Sequence, residues 1–239
     1  MPELYFFKRI EKKYVITPAA RDKLLATLSS RLTPDPHGRS TVMSVYLDTA
    51  DFRLIRQSLD AKVYKEKLRI RSYGIPSAGA SVFFEIKKKY KGVVYKRRLT
   101  MSLAEALHYL QTGIAPCDTQ IMREIDYAMQ LYHNPQPVML LAYEREAYFA
   151  ENVPDLRITF DTGVRYRATE LSLSSGDAGT VILPPDKVIM EIKTNGAMPL
   201  WLADTLDDLH IYPSRFSKYG TAYQHHLAQK GELSYVCNL

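Results

Sequence analysis

Basic residues recur at every second position of one short segment, a spacing that places them on a single face of a β-strand. In residues 63–71, VYKEKLRIR, the apolar Leu68 and Ile70 alternate with cationic side chains. Because strand side chains alternate with a period of two, the cations form one row. The row consists of Lys65, Lys67, Arg69 and Arg71. Neighbouring like charges repel each other, and an anionic ligand would offset that repulsion.

The same alternation recurs in other segments that are typical of strands. These segments are mostly basic, with a few single carboxylates, and they cover residues 85–89, 96–98, 157–161 and 191–193. One such row alone is typical of a solvent-exposed sheet face, where lysine and arginine are ordinary. Exposed faces usually mix both signs of charge, however, so several basic rows on one sheet indicate a surface for a polyanion.

The opposite faces of these segments are apolar and need a covering layer. Val82, Phe84 and Ile86 in one segment, and Ile158 and Phe160 in another, fit packing beneath helices. If the charged face curls inward, the sheet becomes a barrel with a polar lumen, and closure removes its edges. Such a lumen suits a chain of phosphates. Its predicted lining is Arg9, Lys13, Lys67, Arg69, Arg71, Lys87, Lys96, Arg98, Arg145, Arg157 and Lys193.

Three isolated glutamates, Glu11, Glu85 and Glu191, lie in the same charged rows. In such surroundings a carboxylate either pairs with the cations or holds a divalent metal. Mg2+ and Mn2+ take carboxylate and phosphate oxygens together and need no thiolate. These glutamates are therefore candidate ligands for Mn2+ or Mg2+.

The bulk properties agree with a soluble protein that binds anions. The chain of 239 residues is 46% hydrophobic, which suffices for one domain over residues 1–239. A formal charge of +6 and a pI near 9.1 favour anionic partners such as phosphates, nucleic acid or acidic lipid. Cys117 and Cys237 form no zinc or redox motif, and we find neither a signal peptide nor a membrane span. We therefore expect a cytoplasmic location.

Short connections between the strand candidates predict an antiparallel meander that helices interrupt. Strands are predicted at residues 4–14, 43–48, 63–73, 81–90, 93–101, 138–150, 157–166 and 187–194, with a weaker candidate at 170–174. Helices are predicted after Thr17-Pro18, from Ser102 to about Gly113, and over residues 119–133, 199–210 and 221–229. The predicted fold class is α+β, mainly β: an eight-stranded antiparallel barrel, or tunnel, with a polar lumen and flanking α-helices.

The charged rows also belong to motifs that follow one another along nearly the whole chain. These are RIEKKY at residues 9–14, SVYLD at 44–48, KLRIR at 67–71, FEIK at 84–87, YKRR at 95–98, ER at 144–145, LRITFD at 156–161, MEIK at 190–193 and FSKY at 216–219. In this order the chain resembles the polyphosphate polymerase domain of the vacuolar transporter chaperone (VTC) family. That family is a branch of the triphosphate tunnel metalloenzymes, also described as CYTH-like.

The resemblance implies a tunnel that holds the phosphates of a nucleoside triphosphate together with Mn2+ or Mg2+. Polymerase members of the family transfer the terminal phosphoryl group of ATP to a polyphosphate chain and release ADP. The implied catalytic residues are Lys13, Arg69, Arg71, Lys87, Arg157, Lys193 and Lys218. Together with the charged rows, the resemblance adds the phosphate ligands Arg9, Lys67, Lys96, Arg98 and Arg145. Glu191 is the principal implied metal ligand, and Glu85 and Glu11 are the further candidates.

The first motif departs from the triphosphatase branch of the superfamily, which opens with E-x-E-x-K. Here the same spacing is Arg9-x-Glu11-x-Lys13, so an arginine replaces one carboxylate. The exchange removes a metal ligand and adds a phosphate ligand, which favours the polymerase-like branch over the hydrolases. The SPX regulatory domain and membrane segments of the eukaryotic complexes have no counterpart in the sequence, and we expect a stand-alone, bacterial-type domain.

Three other functions are alternatives. A tripolyphosphatase or nucleoside triphosphatase would use the same tunnel with water as acceptor, and a receptor would bind polyphosphate or another phosphorylated metabolite without turnover. Nucleic-acid binding requires aromatic side chains on the charged face. The aromatics mostly alternate out of phase with the cations, Phe83 excepted. We therefore expect ATP or another triphosphate and inorganic polyphosphate as partners, and no nucleic acid, while a membrane-protein partner stays compatible with the sequence.

Overall fold

The computed structural model describes residues 10–61, 63–91, 93–153 and 155–231, which contain ten β-strands and six α-helices. The strands are β1 (Ile10–Ile16), β2 (Leu32–Pro34), β3 (Ser40–Asp48), β4 (Tyr64–Tyr73), β5 (Ser81–Tyr90), β6 (Val93–Ser102), β7 (Gln136–Ala150), β8 (Arg157–Arg167), β9 (Thr180–Val181) and β10 (Val188–Thr194). The helices are α1 (Pro18–Thr27), α2 (Arg53–Asp60), α3 (Leu103–Thr112), α4 (Gln120–Leu131), α5 (Leu200–Asp208) and α6 (Lys218–Gln229).

All of these strands join one antiparallel sheet. Eight of them follow the order β1-β10-β8-β7-β3-β4-β5-β6, while β2 pairs with β7 and β9 pairs with β8. The edge strands β1 and β6 lie in contact, so the sheet curls around a lumen. Among the described residues no backbone ladder joins these two edges. An ion pair of 2.6 Å between Glu11 on β1 and Lys87 on β5 connects this side of the tunnel instead. The predicted α+β, mainly β fold is confirmed, but closure of the ladder itself is not seen.

The outer face of the curled sheet is apolar and is covered by helices. On one side Leu68 and Phe84 pack with Tyr109 of α3, within a core that also includes α4. On the other side Ile158 packs in a core that includes Leu24 of α1 and residues of α5. Since strand side chains alternate, the charged residues of the same strands face the lumen, as the sequence predicts.

Helix boundaries follow the capping signals of the sequence. Thr17 accepts a hydrogen bond from the Ala20 amide at the start of α1, and Ser102 and Glu105 form the predicted capping box of α3. Helix α6 begins at Lys218, three residues before the predicted start, because Ser217 caps it. None of the helices in the described ranges is long and apolar enough to cross a membrane.

Two local predictions differ from the structure. Residues 170–174 are not a strand and instead lead into a 3-10 helix, Leu173–Ser175. The Arg167 guanidinium donates hydrogen bonds to the carbonyls of Glu170, Ser172 and Gly176, and these bonds curl the loop around one side chain. For the first strand, residues 4–9 of the prediction lie outside the described residues.

Helix α2 has no counterpart in the sequence prediction. Its N-cap residue, Phe52, makes no side-chain capping bond and has a left-handed backbone, with φ at 57°. The buried carboxylate of Asp48, at the end of β3, accepts the amide hydrogens of Leu54 and Ile55 instead. Because this cap comes from six and seven residues upstream, the usual three-residue capping pattern is absent.

Candidate functional site

Glu85 lies at the centre of one cluster of cations in the lumen. Its fully buried carboxylate accepts hydrogen bonds of 2.8 Å from both Arg69 and Arg98, and Lys96 Nζ lies 2.7 Å away. Burial alone raises the pKa of a carboxyl group, but the charges of Arg69 and Arg71 hold the pKa of Glu85 well below its usual range. Both carboxylate oxygens are occupied by cations. This arrangement fits the holding of cations better than the metal ligation predicted for Glu85.

Asp161 lies at the centre of a second cluster. Arg145 donates two hydrogen bonds to its carboxylate, of 2.6 and 2.8 Å, and Lys218 Nζ lies 2.5 Å from the second oxygen. Asp161 is fully buried, and burial alone would raise its pKa, yet Lys218 and Arg145 lower that pKa to about 2. The acid therefore stays ionised and fixes two cations at the surface of the lumen.

Glu11 and Glu191 lie diagonally across the paired strands β1 and β10. Glu11 is opposite Lys193, and Glu191 is opposite Lys13. Glu191 Oε2 lies 3.3 Å from Lys193 Nζ and 4.0 Å from a guanidinium nitrogen of Arg145. Although burial favours the neutral acid, Lys193 and Lys13 hold the pKa of Glu191 well below its usual range. Burial also lowers the pKa of Lys193 to about 8, against the opposing effect of Glu191.

Two lysines of the lumen have only neutral hydrogen-bond partners among the described residues. Lys13 Nζ donates to the backbone carbonyl of Phe216 over 3.0 Å, and Lys67 Nζ donates to Ser217 Oγ over 2.9 Å. Neither lysine forms an ion pair within the described residues. Burial lowers the pKa of both lysines. The charge of Glu191 opposes this effect for Lys13, whereas the surrounding cations, among them Lys87, lower the pKa of Lys67 further. A positive potential that discourages protonation of a lysine is the potential that attracts an anion.

Arg71 is a third cation without a carboxylate partner among the described residues. Its side chain is buried, and it donates to Ser44 Oγ over 3.1 Å and to the Tyr143 hydroxyl over 3.2 Å. These hydroxyls are neutral, and the guanidinium interacts with the Glu85 carboxylate only at longer range, without a direct ion pair among the described residues. Because an unpaired buried charge is costly, this part of the lumen is suited to an anionic ligand.

Helix α6 occupies one end of the lumen and turns its first residues toward these cations. The Tyr219 ring stacks on Tyr46 with centroids 4.2 Å apart, and the Tyr219 hydroxyl donates to Asp48 over 2.9 Å. One turn later, Ala222 is buried in the same cluster as Ile189 from β10. The N-terminal turn of α6 thus places the positive end of its helix dipole beside the lumen.

The structure brings most of the predicted site residues together, with two exceptions. Arg157 lies at the rim, where its guanidinium pairs with Asp35 over 2.9 Å and stacks on the Phe149 ring, 4.9 Å from the centroid. Arg9 lies outside the described residues. The other predicted residues all face the lumen: Lys13, Lys67, Arg69, Arg71, Lys87, Lys96, Arg98, Arg145, Lys193, Lys218, Glu11, Glu85 and Glu191.

Several polar residues of the lumen were missed by the sequence prediction. Asp161 continues the alternating row of residues 157–161, and Ser44 and Tyr46 alternate within the SVYLD motif, so their spacing carries a signal. Tyr143 likewise precedes Arg145 by two positions in a predicted strand, whereas Ser217 carries no such signal. Their roles depend on contacts with Lys67 and Arg71 that are distant along the chain.

The surroundings of Glu191 fit a divalent metal that is shared with phosphate. Thr159 is opposite Glu191 in the register of β8 and β10, and its buried hydroxyl oxygen has no hydrogen-bond partner in the described part of the chain. With Glu11, these side chains offer oxygen donors, which Mg2+ and Mn2+ prefer. In the described part of the chain, no group of three or more histidine, cysteine or acidic side chains forms a complete metal site. The donors therefore fit an ion whose remaining ligands are phosphate oxygens and water.

A helix-covered antiparallel sheet curled around a cation-lined lumen defines a protein of the triphosphate tunnel fold. The chain belongs to the VTC domain family, because residues 8–227 match the model of that family. No curated protein matches the sequence.

Two solved structures share this fold at low sequence identity. A putative adenylate cyclase from Bacillus halodurans is 16% identical, with a TM-score of 0.54 over 88% of this chain and 95% of the other. A putative adenylyl cyclase from Hippeastrum, described as having a dominant triphosphatase activity, is also 16% identical. Its TM-score is 0.51 over 94% of this chain and 97% of the other. At this identity the likeness concerns the fold alone.

Proposed function

We propose that this domain is a metal-dependent phosphotransferase that moves the terminal phosphoryl group of ATP to a polyphosphate chain. The observation that carries the proposal is the group of buried lumen cations that form no direct ion pair with a carboxylate among the described residues, namely Lys13, Lys67 and Arg71. Polyphosphate and the triphosphate of ATP are linear anions that suit a lumen with repeated cations along its length. Membership of the VTC domain family supports the same choice.

The roles of the side chains follow from their chemistry. One arginine can bind two phosphate oxygens at once through two N–H groups, and Arg69 and Arg71 are suited to that task. The lysines supply point charges. Lys218 and Arg145 would exchange contacts with Asp161 for contacts with phosphate. The proposed catalytic set is Lys13, Arg69, Arg71, Lys87, Lys193, Lys218 and, at the rim, Arg157. The proposed further phosphate ligands are Arg9, Lys67, Lys96, Arg98 and Arg145.

The transfer needs positioning and charge stabilisation more than it needs a base. An oxygen of the terminal phosphate of the acceptor chain forms a bond to the γ-phosphorus of ATP. The bond from that phosphorus to its bridging oxygen breaks, and ADP leaves with the electron pair. Cations held around the equatorial oxygens stabilise the charge of this transition state.

The protonation behaviour of the carboxylates favours phosphate over water as the acceptor. A water molecule benefits from a general base, and a base is effective when its pKa lies near the working pH. Cations hold the pKa of Asp161 at about 2 and lower the pKa values of Glu191 and Glu85. These acids are therefore weak bases, and an acceptor phosphate, which is already anionic, needs none.

Glu191 and Glu11 are the residues that would hold Mn2+ or Mg2+, beside the hydroxyl of Thr159. When bound, such an ion supplies positive charge to phosphate oxygens and orients them. Glu191 is the principal ligand of the proposal. Glu85, which three cations surround, is assigned to positioning Arg69 and Arg98.

The product profile from ATP and Mn2+ tests the proposal. A polymerase releases one ADP for each phosphate that it adds to a chain. Gel electrophoresis measures the length of the chains, and a coupled assay measures ADP. A parallel reaction with tripolyphosphate tests the hydrolase alternative. Orthophosphate as the only product of both reactions would exclude the polymerase, and tight tripolyphosphate binding without any product would favour the receptor.

A further inference from the structure

The row of cations on β4 ends in an aromatic residue at the end of the lumen away from α6. Tyr73 follows Lys67, Arg69 and Arg71 at the same two-residue spacing, about 7 Å beyond Arg71. Its side chain is 51% exposed, whereas Arg71 is 6% exposed. The lumen thus changes from buried cations to an accessible ring between two neighbouring positions of one row.

A second aromatic side chain lies on the neighbouring strand. Phe83 is opposite Arg71 in the register of β4 and β5, in the same alternating phase as Glu85. Phe84, by contrast, faces outward and is buried in the core. Phe83 is the large apolar residue that departs from the charged pattern of its row, and packing in that core does not account for it.

The two rings and Arg98 form one surface. Tyr73 meets Phe83 edge to face, with centroids 5.9 Å apart, and Arg98 Cζ lies 4.3 Å from the centroid of Phe83. The guanidinium plane of Arg98 is fixed by its hydrogen bond of 2.8 Å to Glu85, and the ring of Tyr73 is held against Phe83.

This surface has the chemistry of a nucleobase site. Bases stack on aromatic rings and on guanidinium planes, with little dependence on which base is present. The opposite end of the lumen is occupied by α6, where Tyr219 and Tyr46 are buried against each other. A nucleoside attached to phosphates at Arg71 would therefore reach Tyr73 and not the α6 end.

We propose that Tyr73 and Phe83 form the binding site for the base of a nucleoside triphosphate whose phosphates lie along the cation row. This assignment rests on the proposed function, because it takes a nucleoside triphosphate as the donor. It predicts that the two rings contribute to the binding of ATP and contribute nothing to the binding of inorganic tripolyphosphate.

The test compares two ligands that differ by the nucleoside. Calorimetric titration with an imido-bridged, non-hydrolysable ATP analogue and with tripolyphosphate, both with Mn2+, gives Kd values for each variant. The variants are Tyr73→Ala and Phe83→Ala. Tyr73→Phe keeps the ring and removes the hydroxyl. Tyr95→Ala is the matched control, because Tyr95 is an exposed tyrosine of β6 on the outer face of the sheet.

We expect both alanine variants to weaken binding of the ATP analogue by about tenfold or more, the usual effect of losing a stacking ring. Binding of tripolyphosphate should stay within about twofold of the wild type, and it also reports that the variants are folded. Tyr73→Phe and Tyr95→Ala should leave both Kd values nearly unchanged. Equal losses for the two ligands, or no loss for the analogue, would overturn the base site. A wild-type protein that binds neither ligand would instead overturn the proposed function.

Discussion

Lys218 Nζ lies 2.5 Å from Asp161 Oδ2, so the first residue of α6 is fixed to β8 inside the lumen. Arg145 holds the same carboxylate through two further hydrogen bonds. One buried acid thus joins the wall of the tunnel to the helix that occupies its end. Phosphates that attract Lys218 or Arg145 must compete with Asp161 for them.

Removal of this acid should destabilise the protein. In Asp161→Asn two buried cations lose their counter-charge, and the loss of one partner from a buried ion pair costs about 3–5 kcal/mol. Urea denaturation at pH 7 measures the change in the free energy of unfolding. Asp51→Asn is the control, because the pair of Asp51 with Arg56 lies at the surface and should matter little. An unchanged urea midpoint for Asp161→Asn would contradict the structural role of the acid.

Acid should weaken the fold through the same group. Burial raises the pKa of Asp161, but Lys218 and Arg145 lower it to about 2 from the ordinary value of 3.8. Because the unfolded chain binds the proton more readily, the stabilisation is complete above about pH 4 and is lost as the pH falls toward 2.

Protonation of Asp161 should lower the free energy of unfolding by about 2 kcal/mol. Glu85 and Glu191, whose pKa values are also lowered, act in the same direction. Denaturation midpoints measured from pH 7 to pH 2 give the profile. The Asp161→Asn variant should lose less stability over this range than the wild type, and a parallel decline in both proteins would argue against the assignment.

The sequence predicts the sheet well because its information is local. Alternation of charged and apolar residues within single strands sets which face packs beneath the helices, and Leu68 and Phe84 are buried as that alternation requires. Thr17 and Ser102 predict helix starts for the same reason, since their caps lie within three residues. Long strands and capped helices can therefore be predicted without knowledge of the rest of the chain.

What the sequence does not predict depends on distant contacts. Helix α2 is capped by Asp48 from the preceding strand, and Ser217 meets Lys67 across 150 positions of the chain. The pairing of each carboxylate is also undetermined locally: the sequence does not show that Glu85 contacts Arg69 and Arg98. Spacing places a side chain on a face, but only the folded chain shows which charges it meets.

Neutralisation of Lys67 should weaken anion binding and leave the unliganded protein no less stable. Lys67 has no carboxylate partner among the described residues, and its pKa is lowered by burial and by nearby cations, so its charge is unfavourable without a ligand. Lys67→Gln keeps a donor for Ser217 and removes the charge. We expect the Kd for tripolyphosphate to rise about ten- to a hundredfold, as for the loss of a charge-assisted hydrogen bond.

Calorimetric titration and thermal unfolding of the same samples measure both effects. Lys89→Gln is the matched control. Lys89 is an exposed lysine of β5 that lies two positions after Lys87 and therefore shares its face of the sheet. It should change neither quantity appreciably. Equal weakening by Lys67→Gln and Lys89→Gln would mean that net charge, and not a contact in the lumen, governs binding.

Replacement of Glu191 tests the metal proposal separately from phosphate binding. Glu191→Ala removes the carboxylate that faces Lys13 and Lys193, so simple anion binding should persist or strengthen as negative charge leaves the lumen. The enhancement of tripolyphosphate binding by Mn2+ should disappear, since the ion then lacks its principal protein ligand. Titration with and without Mn2+ measures that difference, and turnover of ATP should fall with it.

Glu146→Ala, on the outward-facing phase of β7, is the control and should retain the Mn2+ effect. A Glu191→Ala variant with full metal-dependent turnover would remove Glu191 from this role and return Glu11 and Glu85 to consideration.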